Sequence, residues 1–225
     1  MAGEINKELS RQLAIKLQDP VSSGEQDTTR ISALQRLDYL KRGMYRFIRV
    51  LWNSYPKLTR TVLSKYITYK VVTSNKSGQI GIEGIVELYS LYLKRLNEET
   101  YVKARIIDPF DFLDVMTGQN NLYVPDLEAR KFFACEIDGQ IELLPAVEYG
   151  VMLYYMKTIP YPTFEANDIE LKEQFWDILM DYAASEHYLD IGQLDFVQSF
   201  KADAAEQLQL LLLRKQEQEK HDEKN

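Results

Sequence analysis

Cysteine and histidine are scarce in this sequence. Its 225 residues include one cysteine, Cys135, and two histidines, His187 and His221. A single cysteine excludes an intramolecular disulfide and a zinc site built from cysteines, and it is typical of a chain that folds in a reducing cytoplasm. Neither histidine has a companion at metal-ligand spacing. Cys135 lies among apolar neighbours in a predicted strand, which favours a buried side chain over a nucleophile.

Long apolar runs and catalytic motifs are also missing. The longest aliphatic run, Leu210 to Leu213, is far shorter than the roughly 20 residues of a membrane span, so we expect no membrane partner. The first residues lack the apolar core of a secretory signal. No phosphate-binding glycine loop, dinucleotide fingerprint or nucleophile elbow is present. We therefore predict a non-enzymatic protein without a cofactor.

Three aspartates at three-residue spacing, Asp108, Asp111 and Asp114, are the only group that suggests a cation site. A calcium loop would need a further oxygen ligand and a glycine pivot, and the sequence supplies neither. Asp108 precedes Pro109, which is the pattern of a helix start. We predict helix capping and a solvated face here, and no metal site.

Charge is distributed unevenly along the chain. Residues 28–76 contain eleven Lys and Arg and one acidic residue, although the whole chain has a net charge of −7. Such a segment fits a nucleic-acid face, an acidic partner, a head-to-tail contact between copies, or simply a solvated basic helix. Aromatic residues interleave with these cations, but they fall mostly on the apolar stripe of a helix, so core packing explains them better than base stacking. The candidate basic face consists of Arg36, Arg42, Arg46 and Arg49.

Helical periodicity dominates both ends of the chain. An amphipathic stripe covers the first 18 residues, and a second helix is predicted from Thr28 or Thr29, with Leu34 and Leu37 on its apolar side, until Pro56 ends or kinks it. After residue 159 we expect a helix that starts with a capping box between Asn167 and Glu170. We expect Asp190 to cap the last helix.

The middle of the chain has the period of strands. "YITYKVVTS", "GIVELYSLYLK" and "TYVKARII" predict strands, and "RKFFACEIDGQIELLP" predicts a hairpin around Asp138-Gly139. In that hairpin Phe133, Cys135, Ile137 and Leu144 share one face, whereas Phe132, Ala134, Ile141 and Leu143 share the other. We expect "GVMLYYMK" to add a third strand to the same meander.

These patterns predict an α+β protein, a helical bundle of N- and C-terminal helices with a central antiparallel β-rich unit. The predicted segments are an N-terminal helix and linker (1–27), a helical segment of the bundle (28–64), the β-rich unit (65–158), the C-terminal helices of the bundle (159–213) and a polar tail (214–225).

Two segments carry more apolar surface than one chain easily buries. Residues 151–156 are apolar on both strand faces, which places Met152, Tyr154 and Met156 either in the core or between subunits. The last helix is apolar all round where four leucines follow one another, and such a helix needs cover on every side. The predicted interface with another protein or a neighbouring copy consists of Leu208, Leu210, Leu211, Leu212, Leu213, Arg214 and Lys215.

The order of these parts resembles the head-to-tail adaptor, or neck ring, proteins of tailed bacteriophages. The resemblance rests on "EIDGQIELLPAVEYGVMLYYMK", on "FEANDIELKEQFWDILMDYAASEHYLD", and on "IEGIVELYSLYL" followed by "DPFDFLDVMTG". It covers about residues 28–213 and is a likeness of pattern and order. The first 27 residues look like an addition to this pattern, and the resemblance assigns no role to the basic segment.

The resemblance implies a virion structural protein, made in the host cytoplasm, that forms a dodecameric ring under the portal. Its partners would be other copies of itself, the portal protein and tail or nozzle proteins, and double-stranded DNA would pass through the channel without sequence-specific binding. The C-terminal segment would dock against the portal. The alternatives are a cellular scaffold whose amphipathic C-terminal helix binds a partner groove, and a nucleic-acid-binding module that uses residues 28–76.

Overall fold

The structure, a computed structural model, describes residues 3–17, 31–118 and 123–222, except for the side chains of Lys57, Arg60 and residues 215–222. The predicted linker and the predicted helix start at Thr28 or Thr29 lie outside the described residues. The fold is α+β, as predicted. The chain divides into two compact units, a helical unit (Met1–Leu63 and Ile159–Asn225) and a β unit (Ser64–Thr158).

Six α-helices are present in the described residues, five of them in the helical unit, together with one 3-10 turn at Glu173–Phe175. The helical unit contains α1 (Glu4–Lys16), α2 (Ala33–Ser54), α3 (Pro56–Val62), α5 (Trp176–Asp190) and α6 (Leu194–Asp222). The remaining helix, α4 (Pro109–Met116), belongs to the β unit.

Helix α2 supplies the longest apolar stripe of the helical unit. Ser32 and Gln35 form a reciprocal capping box at its start, and the helix ends one residue before Tyr55, as the proline at position 56 predicts. Its core side chains are fully buried, but Leu34 is 64% exposed, so its predicted place on the apolar side is wrong. Leu34 lies in the first turn of the helix, where its side chain faces solvent. The buried stripe consists of Leu37, Leu40, Met44, Phe47, Ile48 and Leu51.

Helices α2 and α5 approach each other closely at Gly43. A Cβ atom built on Gly43 would lie 2.7 Å from the backbone nitrogen of Ala183 and 2.9 Å from its Cα. Real Cβ atoms do not tolerate such distances from backbone, so only glycine fits at this crossing.

Helix α1 is part of the core of the helical unit, since Leu9 and Leu13 are fully buried. A buried asparagine fastens its first turn to the loop before α5. Asn6 donates from Nδ2 to the carbonyl oxygen of Thr163 at 2.7 Å and accepts from the backbone N–H of Ile169 at 3.0 Å. Buried polar groups are stable only when they are paired in this way.

Two predicted helix caps of the C-terminal segment are wrong. Asn167 has a positive φ of 56° and donates to the carbonyl oxygen of Tyr161, and the chain becomes helical only from Glu173. The local loop hydrogen bonds therefore replace the expected capping box. Asp190 is the last residue of α5 rather than the cap of α6, and its carboxylate binds Arg42.

The β unit contains two four-stranded sheets in the described residues. The first has the order β1-β8-β3-β4 and the second the order β2-β7-β6-β5. The strands are β1 (Ile67–Thr73), β2 (Gln79–Gly81), β3 (Ile85–Arg95), β4 (Val102–Lys103), β5 (Arg105–Ile106), β6 (Phe133–Ile137), β7 (Gln140–Leu144) and β8 (Tyr149–Lys157).

The predicted hairpin forms around Asp138 and Gly139, both with positive φ (49° and 75°). The two predicted faces are confirmed, because each belongs to a different apolar cluster. One face, with Ala134 and Ile141, packs in the larger cluster of the β unit, while the other, with Cys135, packs in a smaller cluster with the buried residues of α4.

The expected third strand of that meander is wrong. Strand β8 pairs with β1 and β3 in the first sheet and makes no ladder with β7. The predicted strand "TYVKARII" also divides into two, because β4 pairs with β3 whereas β5 pairs in parallel with β6. Turn signals along the chain do not determine which strand a segment joins, since the choice depends on partners distant in sequence.

Candidate interaction surfaces

Strand β8 turns one face toward the larger apolar cluster of the β unit and the other away from it. Tyr149, Val151 and Leu153 are buried in that cluster. The opposite face carries Met152, Tyr154 and Met156, of which Met156 is fully buried and the other two are half-buried. Of these three predicted residues, Met156 is thus a core residue, whereas Met152 and Tyr154 reach the surface.

This outward face continues onto the neighbouring strands as an aromatic surface. Tyr154 contacts Tyr69 on β1 and Tyr92 on β3, with ring centroids 5.7 and 5.9 Å apart. Tyr69 is 60% exposed, and Val71, which pairs with Met152, is 54% exposed. We call this surface, formed by Tyr69, Val71, Tyr92, Met152 and Tyr154, the open sheet face. Exposed apolar surface of this kind makes the open sheet face a candidate interaction site.

Helix α4 presents a second apolar surface. Asp108 caps the helix by accepting the backbone N–H groups of Phe110 and Asp111, each at 2.9 Å. The inner side of the helix buries Phe112 and Val115. On its outer side Phe110 is 83% exposed, and Leu113 and Met116 are each more than half exposed. We call Phe110, Leu113 and Met116 the α4 ridge.

The leucines of α6 divide between two sides of the helix. Leu208 is buried and Leu211 and Leu212 are half-buried, whereas Leu210 and Leu213 are 50% and 56% exposed. Arg214 is exposed, and the side chain of Lys215 lies outside the described residues. The four leucines were expected to be buried on every side of the helix. The helical unit covers only one side and leaves Leu210 and Leu213 exposed to solvent.

A cleft of about 510 Å³ lies beside Leu211 and Leu212 in the helical unit. Its walls come from α3, the 3-10 turn and α6, and two cations, Lys172 and Arg214, line it. We call it the leucine cleft. Its lining residues are Leu58, Thr61, Val62, Lys172, Gln174, Phe175, Leu211, Leu212 and Arg214.

The predicted basic face is largely engaged in contacts within the helical unit. Arg36 is buried, and it donates to the hydroxyl of Ser10 at 3.0 Å and to the carbonyl oxygen of Ile31 at 2.6 Å. Arg49 also has a contact within the chain. A buried guanidinium that is already hydrogen-bonded offers little to a phosphate backbone.

Arg42 and Arg46 pair with acidic residues of α5. Glu186 lies 2.9 Å from Arg46 Nε and 2.9 Å from an Nη of Arg42. The hydrogen bond that Arg42 donates to Asp190 is the main reason that the pKa of Arg42 is raised above its ordinary value. These two arginines therefore join α2 to α5.

No cluster of three or more His, Cys, Asp or Glu side chains suited to a metal ion is found in the described residues. Cys135 is 1% exposed, and burial raises the pKa of its thiol to about 11, so it is protonated at neutral pH. His187 packs edge-on against Tyr39, with centroids 5.3 Å apart.

The open sheet face and the α4 ridge were only partly visible in the sequence. Met152 and Tyr154 follow from the apolar run of β8, but Tyr69 and Val71 join them only because β1 is its neighbour. The ridge has a sequence signal, since Phe110, Leu113 and Met116 recur at three-residue spacing in a segment that begins with a cap. Sequence reasoning there considered only the aspartates.

No protein-family model matches the sequence, and no curated protein sequence matches it either. None of the described helices is both long enough and apolar enough to cross a membrane. A functional assignment therefore depends on the surfaces described above and on the order of the elements.

Proposed function

We propose that this protein is a non-enzymatic head-to-tail adaptor of a tailed-bacteriophage virion. In this proposal several copies form a ring under the portal, extend the DNA channel and give the tail proteins a platform. The protein is made in the host cytoplasm and functions in the neck of the virion.

The observation that carries the proposal is the presence of three separate exposed apolar surfaces on one chain. They are the open sheet face, the α4 ridge and the pair Leu210 and Leu213. A monomer gains nothing from such patches, and they favour association. A ring of identical copies needs two different complementary surfaces on each copy, and a third is needed for a neighbouring ring.

The element order supports the same proposal. A helical unit formed by both ends of the chain, with a β unit inserted between them, matches the order of parts on which the resemblance to adaptors rests. The scaffold alternative would need one partner surface rather than three. The nucleic-acid alternative loses support because Arg36, Arg42 and Arg46 are paired within the helical unit.

We assign the portal contact to the exposed side of α6, at Leu210 and Leu213, and to the polar residues that follow. The covered side of the helix already packs in its own unit, so the exposed side is the part available to another protein. DNA would pass without specific contact, because specific and non-specific binding both require cations directed at phosphates.

The test is the mass of the purified chain, measured by light scattering alone and after mixing with candidate portal rings. We expect a ring-sized species in at least one condition. The double variant Leu210→Asp/Leu213→Asp should lose the portal-bound species while it stays folded, since both side chains are exposed. Leu34→Asp is the matched control, because Leu34 is an equally exposed helical leucine, and it should behave as the wild type.

Two outcomes would contradict the adaptor proposal. A chain that stays monomeric or dimeric with every portal tested would contradict the adaptor proposal and favour the scaffold alternative. Salt-sensitive binding of the isolated protein to DNA or RNA would instead favour the nucleic-acid alternative.

A further inference from the structure

The α4 ridge is an exposed apolar strip along one side of its helix. Residues three apart on a helix lie on one side of it, so Phe110, Leu113 and Met116 form one row. The row is exposed although the opposite side of the same helix is buried against β6 and β7. An 83% exposed phenylalanine in an otherwise ordered helix is costly to solubility, which indicates a binding role.

The helix that carries the ridge is acidic. Asp108, Asp111 and Asp114 belong to this helix or cap it, and residues 109–116 contain no Lys or Arg. The pKa of Asp111 is raised above its ordinary value, by desolvation first and then by the charge of Asp108. A cation brought close to these carboxylates would relieve that repulsion.

The leucine cleft has the opposite properties. Five of its nine lining residues are apolar, among them Leu211, Leu212 and the buried Phe175, and its charged lining residues are the cations Lys172 and Arg214. No acidic side chain is among the described residues that line it. A groove with apolar walls and cations beside it suits a short amphipathic helix whose polar side is acidic.

We propose that the α4 ridge of one copy inserts into the leucine cleft of the next copy, with Asp111 and Asp114 directed at Lys172 and Arg214. This inference rests on the proposed ring, because it identifies the partner of both surfaces as a second copy of the chain. The two surfaces differ, so the contact is head-to-tail and repeats around a ring. One such contact is small, and closure of the ring would strengthen it through avidity.

The experiment uses two variants of the full chain. Phe110→Asp destroys the ridge and leaves the cleft intact, while Lys172→Glu/Arg214→Glu reverses the charge of the cleft and leaves the ridge intact. All three side chains are exposed, so the fold should be unaffected, which circular dichroism and thermal melting would verify. Leu34→Asp is again the control for an added charge on an exposed helical position.

Sedimentation velocity would measure self-association up to about 0.5 mM, a range that detects even weak contacts. We expect wild-type chain and the Leu34→Asp control to form species larger than dimers, and each variant alone to associate at least about tenfold more weakly. An equimolar mixture of the two variants should give 1:1 heterodimers and nothing larger, because only one competent ridge and one competent cleft remain. An isologous contact cannot give this result.

The charge assignment has its own test. Asp111→Lys/Asp114→Lys should weaken association, and mixing it with the reversed-charge cleft variant should restore species larger than dimers, because these need the charge-swapped pair as well as the native one. Wild-type chain that stays monomeric at about 0.5 mM, or Phe110→Asp chain that associates like the wild type, would overturn the contact.

The two proposals fail separately. If Phe110→Asp chain still forms rings on a portal, the ridge and cleft contact is wrong and the adaptor proposal stands. If the mixed variants form heterodimers but no portal recruits the wild type, the contact stands and the adaptor proposal is wrong.

Discussion

Arg42 on α2 and Asp190 at the end of α5 form a two-pronged ion pair, with Nη1–Oδ2 and Nη2–Oδ1 distances of 2.6 and 2.9 Å. Glu186, one turn earlier on α5, accepts from both Arg42 and Arg46. Cations that look like an electrostatic surface in the sequence therefore join two helices that are far apart along the chain. Bidentate pairs of this kind add geometric specificity as well as energy.

The Arg42–Asp190 pair predicts a stability difference that depends on pH. The pKa of Asp190 is lowered, mainly by the hydrogen bond from Arg42. The contribution of the pair to the free energy of unfolding is complete above the ordinary aspartate pKa of about 4. It is lost as the pH falls through the lower pKa of Asp190 in the folded protein. Asp190→Asn should therefore cost about 0.5–1 kcal/mol at neutral pH, since the pair is partly exposed, and nearly nothing in strong acid. Urea unfolding at both pH values measures this, with Glu206→Gln as control.

The buried carboxylate Asp181 predicts a second, larger loss of stability that depends on pH. It is 1% exposed, bonds Lys16 and accepts from Gln207 Nε2 at 2.8 Å, and desolvation is the main cause of its raised pKa. Lys16→Met should cost about 3 kcal/mol at neutral pH, because it leaves a buried charge uncompensated. The loss should shrink as the pH falls and Asp181 becomes protonated.

The double variant Lys16→Met/Asp181→Asn is the control for that loss. We expect it to recover most of the free energy of unfolding, because the asparagine carries no charge and still accepts from Gln207. A double variant as unstable as Lys16→Met alone would show that packing, rather than charge, explains the loss.

The close crossing of α2 and α5 predicts that Gly43→Ala destabilises the protein by about 1–3 kcal/mol. Alanine gains about 1 kcal/mol in helix propensity, but its Cβ would lie 2.7 Å from the backbone nitrogen of Ala183. Gly81→Ala is the matched control, since nothing lies within 4 Å of a Cβ there. Because the contact is with backbone, Ala183→Gly should not rescue Gly43→Ala in chemical unfolding experiments.

The buried position of Cys135 predicts that its thiol is unreactive in the native state. Burial, followed by the charge of Asp108 and Glu142, raises its pKa to about 11. Labelling with a thiol reagent near pH 8 should be slow and should become fast on addition of denaturant. The raised pKa also lowers stability as the pH rises from about 9 to about 11, because the unfolded thiol ionises first. Rapid labelling of folded protein would contradict the buried position.

Several local features followed from the sequence because they depend on residues close together in the chain. The Asp138-Gly139 turn determined which hairpin residues share a face, and the period of two kept Ala134 and Cys135 on opposite sides. Asp108 with Pro109 determined the start of α4, and Pro56 determined the end of α2. Turn chemistry, capping and periodicity act over a few residues, so no tertiary contact was needed to predict them.

Only the tertiary structure decided the features that join distant residues. Strand β8 pairs with β1 and β3 instead of with the hairpin. Arg42 pairs with Asp190, which lies 148 positions away in the chain, and a loop hydrogen bond from Asn167 takes the place of the predicted helix cap. The α4 ridge became a candidate surface only when its opposite side proved to be buried. The sequence by itself determined the strand periodicity of the hairpin, its Asp138-Gly139 turn and the Asp108 cap of α4. Strand partners and the exposed side of each helix depended on competition among long-range contacts, which local residue patterns do not encode.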